Sequence, residues 1–205
     1  MVRSKFYEDK RKEELFGRYL DKNFYSALNA YSSQRVYEKD LQKKGVDLIL
    51  EDDQGEHLVV DEKAALHYMH TNINTFAFEI FNKNSGNPGW LYNPNYLTSH
   101  YLLAWPHATD TSVPSSDVFC NNEVMLISRK DIHKILADRG LDQEKILDIF
   151  YSYEHEWSRT ESFWRKDFGN GITLYFTKWL KEQPVNVLIS KAALKKHAIL
   201  HKVVG

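Results

Sequence analysis

Three ionisable residues stand where the surrounding sequence gives them reason to meet. Asp47 interrupts the apolar, β-rich run Gly45-Val46-Asp47-Leu48-Ile49-Leu50. A charged carboxylate in such a run is costly unless it has a partner. Fourteen residues later, Asp61 and Lys63 lie in a second β-like run, His57–Leu66. Side chains alternate along a strand, so Asp61 and Lys63 share one face and Glu62 points the other way. Residues 51–56, Glu-Asp-Asp-Gln-Gly-Glu, carry turn chemistry. The two runs are therefore expected to form a hairpin that brings Asp47 beside Asp61, with an ammonium adjacent. Two acids held that close repel each other unless a cation or proton lies between them. Mg2+ suits the position, with Mn2+ as a substitute. Mg2+ favours oxygen ligands, keeps several waters, and takes one or two carboxylates plus a phosphate oxygen. Such an ion polarises a phosphate and activates a bound water. Lys63 is placed to orient or deprotonate that water, or to neutralise charge developing on the phosphate. The competing expectation is an ordinary Asp61–Lys63 surface ion pair on an edge strand, with Asp47 capping a turn.

These residues resemble the PD-(D/E)XK, or restriction-endonuclease-like, nuclease signature. Asp47 matches its first Asp, Asp61 the (D/E) position and Lys63 the Lys; Val46 stands where the pattern has Pro. Many members of that class carry a further acid on the first helix. Gly17-Arg18-Tyr19-Leu20-Asp21 is similar to the Gly-x-x-x-Glu pattern of archaeal Holliday-junction resolvases, with Asp in place of Glu. Asp21 lies 26 residues before Asp47. Glu13 and Glu14 are alternatives one or two turns earlier. The resemblance covers roughly residues 10–81. It implies a mixed β-sheet flanked by helices and a metal-dependent nuclease acting on DNA rather than RNA. It further implies metal ligands at Asp47, Asp61 and the Glu62 carbonyl, with Asp47, Asp61, Lys63 and Asp21 catalytic. Cutting both strands of a duplex needs two sites, so a homodimer is compatible. A non-catalytic nucleic-acid-binding or protein-interaction module on the same fold is the alternative, because fold does not establish activity.

The elements that must position these groups follow from periodicity. Phe6, Leu15, Tyr19, Leu20, Phe24 and Leu28 recur near every third and fourth residue, predicting a helix over 5–31 that Gly17 interrupts. Strands are expected at 45–50, 57–66 and 75–81, the third beside the first two. Residues 82–97 read as a loop, 99–105 as a strand and 109–117 as a polar loop. A strand at 123–128 runs into a helix at 130–139 ended by Gly140. A helix at 142–157, a strand at 185–189 and a helix at 191–200 complete the reading. The order predicts one α/β or α+β domain over residues 1–205, with the catalytic core at about 10–81 and a family-specific remainder at 82–205.

Composition limits the alternatives. The 205 residues are 42% hydrophobic and 14% aromatic, which suits a packed globule. The net charge of -1 argues against indiscriminate duplex binding. Thr160 to Gly205 nevertheless carries eight Lys/Arg against three Asp/Glu. The single Cys120 permits no internal disulfide and fits a reducing cytoplasm. The charged N-terminal stretch lacks the apolar core of a signal peptide, and no run approaches a membrane span. A cytoplasmic protein is expected. Nothing matches a phosphate loop, a dinucleotide fingerprint or a nucleophile elbow. His67 and His70, and separately His155, read as structural or surface residues rather than zinc ligands. Gln42, Lys43 and Lys44 read as loop solubilisers, and Glu79 as solvent-facing. Trp90, Tyr92, Tyr96, Tyr101 and Trp105 fit core packing better than base stacking. The mix of Arg159, Arg165 and Lys166 with Trp157, Phe163 and Trp164 is the best nucleic-acid contact outside the hairpin.

Overall fold

The computed structural model describes residues 2–109, 116–154 and 162–205, with side chains from Asp9 onward. The expectations at Phe6, His155, Trp157 and Arg159, and for most of the 109–117 loop, lie outside the described residues. In chain order the elements are α1 (Val2–Asn23), β1 (Tyr31–Arg35), α2 (Lys39–Gln42), β2 (Leu48–Asp52), β3 (His57–Ala64), β4 (Thr75–Asn82), β5 (Asn87–Pro88) and β6 (His100–Trp105). Then come β7 (Asn122–Ser128), α3 (Arg129–Ala137), α4 (Gln143–Glu154), β8 (Phe163–Asp167), β9 (Ile172–Thr177), β10 (Pro184–Ser190), α5 (Lys191–Lys195) and β11 (Leu200–Val204). The protein is of the mixed α+β class, with two sheets and flanking helices. No helix among the described residues is long and apolar enough to cross a membrane. The chain divides into two compact units.

The first unit comprises Met1–Ile73, Leu97–Ile127 and Ala198–Gly205. Its six strands run in the order β1-β2-β3-β6-β7-β11. The meander β1-β2-β3 is antiparallel, whereas β6 pairs with β3 in parallel. Helix α1 exists because Phe16, Tyr19, Leu20 and Phe24 recur on one side. They are buried in a cluster with Leu48, Leu50, Val60 and Leu102. Each such side chain contributes about 1.5–3 kcal/mol by leaving water. The helix stops at Asn23 rather than running to 31, and a 3-10 turn at Tyr25–Ala27 leads into β1. There the register pairs Tyr31 with Asp52 and Arg35 with Leu48. Gly45 shapes the entry to β2. It is buried at φ +71, a left-handed conformation that costs other residues about 1–2 kcal/mol. Its carbonyl accepts the Thr98 hydroxyl at 2.7 Å, which ties the turn to the segment before β6.

The second unit comprises Asn74–Tyr96 and Ser128–His197. Its sheet, β5-β4-β10-β9-β8, is antiparallel throughout. The expected third strand of the hairpin is therefore elsewhere: β4 pairs with β5 and β10, and the outer neighbour of β3 is β6. One face buries Phe76, Phe78, Ile80, Leu174, Phe176 and Val187. Phe150 of α4 meets Phe176 edge-on at 5.0 Å. The Ser128 hydroxyl caps α3 by accepting the Asp131 N–H at 2.9 Å, and Gly140 follows its end at φ +64. The last helix ends at Lys195, not 200, because Leu200–Val204 pairs with β7.

Candidate functional site

The β2–β3 register sets Leu48 opposite Val60, so Asp47, one residue earlier, arrives opposite Asp61. The Asp47 N–H donates to the Val60 carbonyl at 3.0 Å, and the Asp47 carbonyl accepts the Val36 N–H at 2.9 Å. With the backbone tied on both sides, its carboxylate Oδ2 accepts the Glu62 N–H at 2.9 Å. Asp61 is 1% exposed. Its Oδ1 accepts from Lys63 Nζ at 2.6 Å, while its buried Oδ2 has no hydrogen-bond partner among the described residues. The surface ion-pair expectation fails on two counts. β3 lies between β2 and β6, and Asp61 is buried. Its register partner Tyr101 and the Lys63 partner Leu103 are themselves fully buried.

Crowding has an electrostatic signature. Burial, reinforced by the Asp61 carboxylate, pushes the Asp47 carboxyl up from 3.8 to about 6, against the opposing pull of the Glu62 N–H and the Lys63 ammonium. The Asp47–Asp61–Lys63 cluster expected from the sequence is thus assembled.

Asp21 does not join it. Its carboxylate grips Arg35, with Nε at 3.0 Å and Nη2 at 2.6 Å. The helix acid that faces the cluster is Glu13. The packing around its accessible carboxyl raises its pKa. The Lys63 ammonium opposes that shift, and the charges of Asp9 and Asp47 add to it. The sequence held a signal for this. Glu13, Phe16, Leu20 and Phe24 follow the 3-4-4 spacing of one helix face, whereas Asp21 falls off that stripe.

Glu62 points away from Asp61 and enters a second polar network. Arg35 donates from Nη1 to Glu62 Oε2 at 2.7 Å and from Nη2 to Oε1 at 3.2 Å. The Tyr25 hydroxyl donates to Oε1 at 2.6 Å. Burial, and then the Glu62 carboxylate, hold the Tyr25 phenol well above its ordinary pKa, so it stays a donor. Arg35 therefore joins α1, β1 and β3 through one guanidinium. Since the Glu62 backbone holds Asp47, this network fixes the cluster from behind. The sequence reading assigned Arg35 and Tyr25 no role.

These donors define what a divalent ion would meet. No group of three His, Cys, Asp or Glu side chains converges among the described residues. The cluster offers two carboxylates, the number Mg2+ commonly takes from a protein. The buried, unpartnered Asp61 Oδ2 and the raised Asp47 carboxyl both fit a site completed by a cation.

Other singled-out residues have structural settings. Gln42 Nε2 donates to the Val36 carbonyl at 3.0 Å, and Lys43 pairs with Asp40 in solvent. His67 and His70 are exposed. Glu79 is half-buried on β4 of the second unit. Trp90 packs on Phe78, Tyr92 on His133, and Tyr101 and Trp105 are buried. Comparison with known proteins finds no matching family model, no matching curated protein and no matching solved structure.

Proposed function

We propose that the first unit is a metal-dependent phosphodiesterase centre. Its substrate is nucleic acid, with DNA favoured over RNA. The observation that carries this reading is the buried Asp47–Asp61 pair, with one carboxyl driven up to about 6 and a buried oxygen lacking a partner, beside the Lys63 ammonium. A structural ion pair does not need a second acid pressed against it.

The carboxylates of Asp47 and Asp61 and the Glu62 carbonyl would hold Mg2+ or Mn2+. When bound, the ion supplies phosphate polarisation and a more acidic water. The chain's own residues do the rest. Asp61 Oδ1 holds Lys63 Nζ in place, so the ammonium is ready to orient the attacking water and to offset charge on the phosphate oxygens. The Glu62 N–H orients Asp47 so that its second oxygen is available for the metal. Glu13 adds negative charge near Lys63.

The test is incubation with plasmid, single-stranded DNA and RNA, with Mg2+, Mn2+ or EDTA, beside Lys63→Ala. Cleavage that needs metal and disappears in the variant is expected. Nucleic-acid binding without cleavage by either protein overturns the enzyme and leaves a binding module.

A further inference from the structure

The mixed basic and aromatic segment near residue 163 is sorted by strand alternation in the second unit. Trp164 turns inward and stacks on Phe176 at 4.6 Å. Lys166 lies over the Tyr153 ring at 5.3 Å. Phe163 and Arg165 point to the opposite face. That face is the outer one, where Phe163 is 45% exposed and stacks on Tyr175 at 5.4 Å and 22°. Arg165 pairs in register with Tyr175 and is exposed. The ladder continues past Thr177 through the Lys178 N–H to the Ser162 carbonyl, and Trp179, 68% exposed, follows at the Phe163 end of the sheet.

We propose that this face, at Phe163, Arg165, Tyr175 and Trp179, binds unpaired nucleotides, with bases stacking on the rings and a phosphate meeting Arg165. The inference deepens the nucleic-acid reading above by naming single-stranded polymer as the ligand of the second unit. Three features favour it over a protein or membrane partner. Phe163 and Trp179 are exposed and Tyr175 is half-buried, which leaves ring surface open to a stacking base. They are interleaved with the half-exposed polar Thr173 and Asn186 rather than joined into the continuous apolar patch that docking a protein or a bilayer uses. Charge at this end of the sheet is also favourable, with Arg165, Lys178 and Lys181 against Asp167 and Glu182. Asp167 is engaged locally, its Oδ1 accepting the Gly169 N–H at 2.8 Å.

The test uses the full chain in EDTA, so that no cutting occurs. Tryptophan fluorescence and the anisotropy of a labelled oligothymidylate or oligouridylate of about twelve nucleotides report binding. The wild type is expected to bind single strands better than a matched duplex. Phe163→Ala and Trp179→Ala are each expected to weaken that binding roughly 5- to 100-fold. Arg165→Ala should flatten the salt dependence by about one ion. Circular dichroism melting checks that each variant is folded. Retained binding by Asp61→Asn, together with loss in the folded ring variants, supports the proposal whatever the cleavage assay gives. Unchanged binding by the folded ring variants, capture of vesicles in place of oligonucleotide, or no oligonucleotide binding at all overturns it. Metal-dependent cleavage at Lys63 is decided separately, by the plasmid and oligonucleotide cleavage assay.

Discussion

Replacing Asp47 by Asn should stabilise the metal-free protein while abolishing its metal response. Folding raises the Asp47 carboxyl from 3.8 to about 6. The folded state therefore keeps a proton that the unfolded chain has already released. The sign follows: stability falls as pH rises from about 4 to about 6, and the full penalty applies above that. A difference of about two pH units corresponds to roughly 3 kcal/mol. Part of that penalty is shared with Asp61, so roughly 1–3 kcal/mol is expected back on neutralisation. Asn suits the position. Its carbonyl can still accept the Glu62 N–H, and its amide can donate toward the unpartnered Asp61 Oδ2. For a chain of this size, about 1 kcal/mol moves Tm by roughly 2–4 °C. Thermal unfolding in EDTA at pH 8 should thus give a variant several degrees more stable than wild type, the gap closing near pH 4. Adding Mn2+ at pH 8 should raise the wild-type Tm and leave the variant unmoved. A variant less stable than wild type by the same margin at both pH values would refute the argument, since Asp47 would then be a plain structural acceptor.

Further outcomes follow from named contacts. Arg35→Ala leaves Glu62 and Asp21 without their shared cation; it should cost about 3–5 kcal/mol in urea unfolding and weaken Mn2+ binding by loosening Asp47. Glu13→Gln should alter the pH profile of cleavage more than Asp21→Asn does, a comparison read directly from initial rates. Gly17→Ala should raise the melting temperature, gaining about 0.5–1 kcal/mol, because an added Cβ meets only the Arg35 guanidinium at an ordinary 3.9 Å. Gly45→Ala should lower stability by about 1–2 kcal/mol in the same melting assay.

The hairpin and the meeting of Asp47, Asp61 and Lys63 on it were legible because strand alternation and turn chemistry act over a dozen residues. What decided the remainder was long-range pairing. Tyr31–Arg35 is polar, carries no apolar alternation and forms a strand only because β2 offers its edge. Lys191–Leu200 has helical composition throughout, yet its last residue pairs with Leu126. β4 looked like the natural third member of the meander, but its partner β10 begins about a hundred residues later. The helix acid was misjudged for another reason: a motif spacing pointed to Asp21, while the helical period of the buried stripe pointed to Glu13. The sequence established which groups belong together at the centre, and tertiary pairing decided which neighbours hold them.

The first unit is sewn from three stretches of chain, and its last contribution is the strand 200–204. That strand adds the final rung beside β7, places Val204 in the core and offers the Val204 carbonyl to the Tyr19 hydroxyl at 2.9 Å. During synthesis, residues 1–127 leave the ribosome well before this closing segment. The sheet that carries Asp47 and Asp61 is therefore complete only once residues 200–204 have been made, after the whole 128–197 stretch of the second unit.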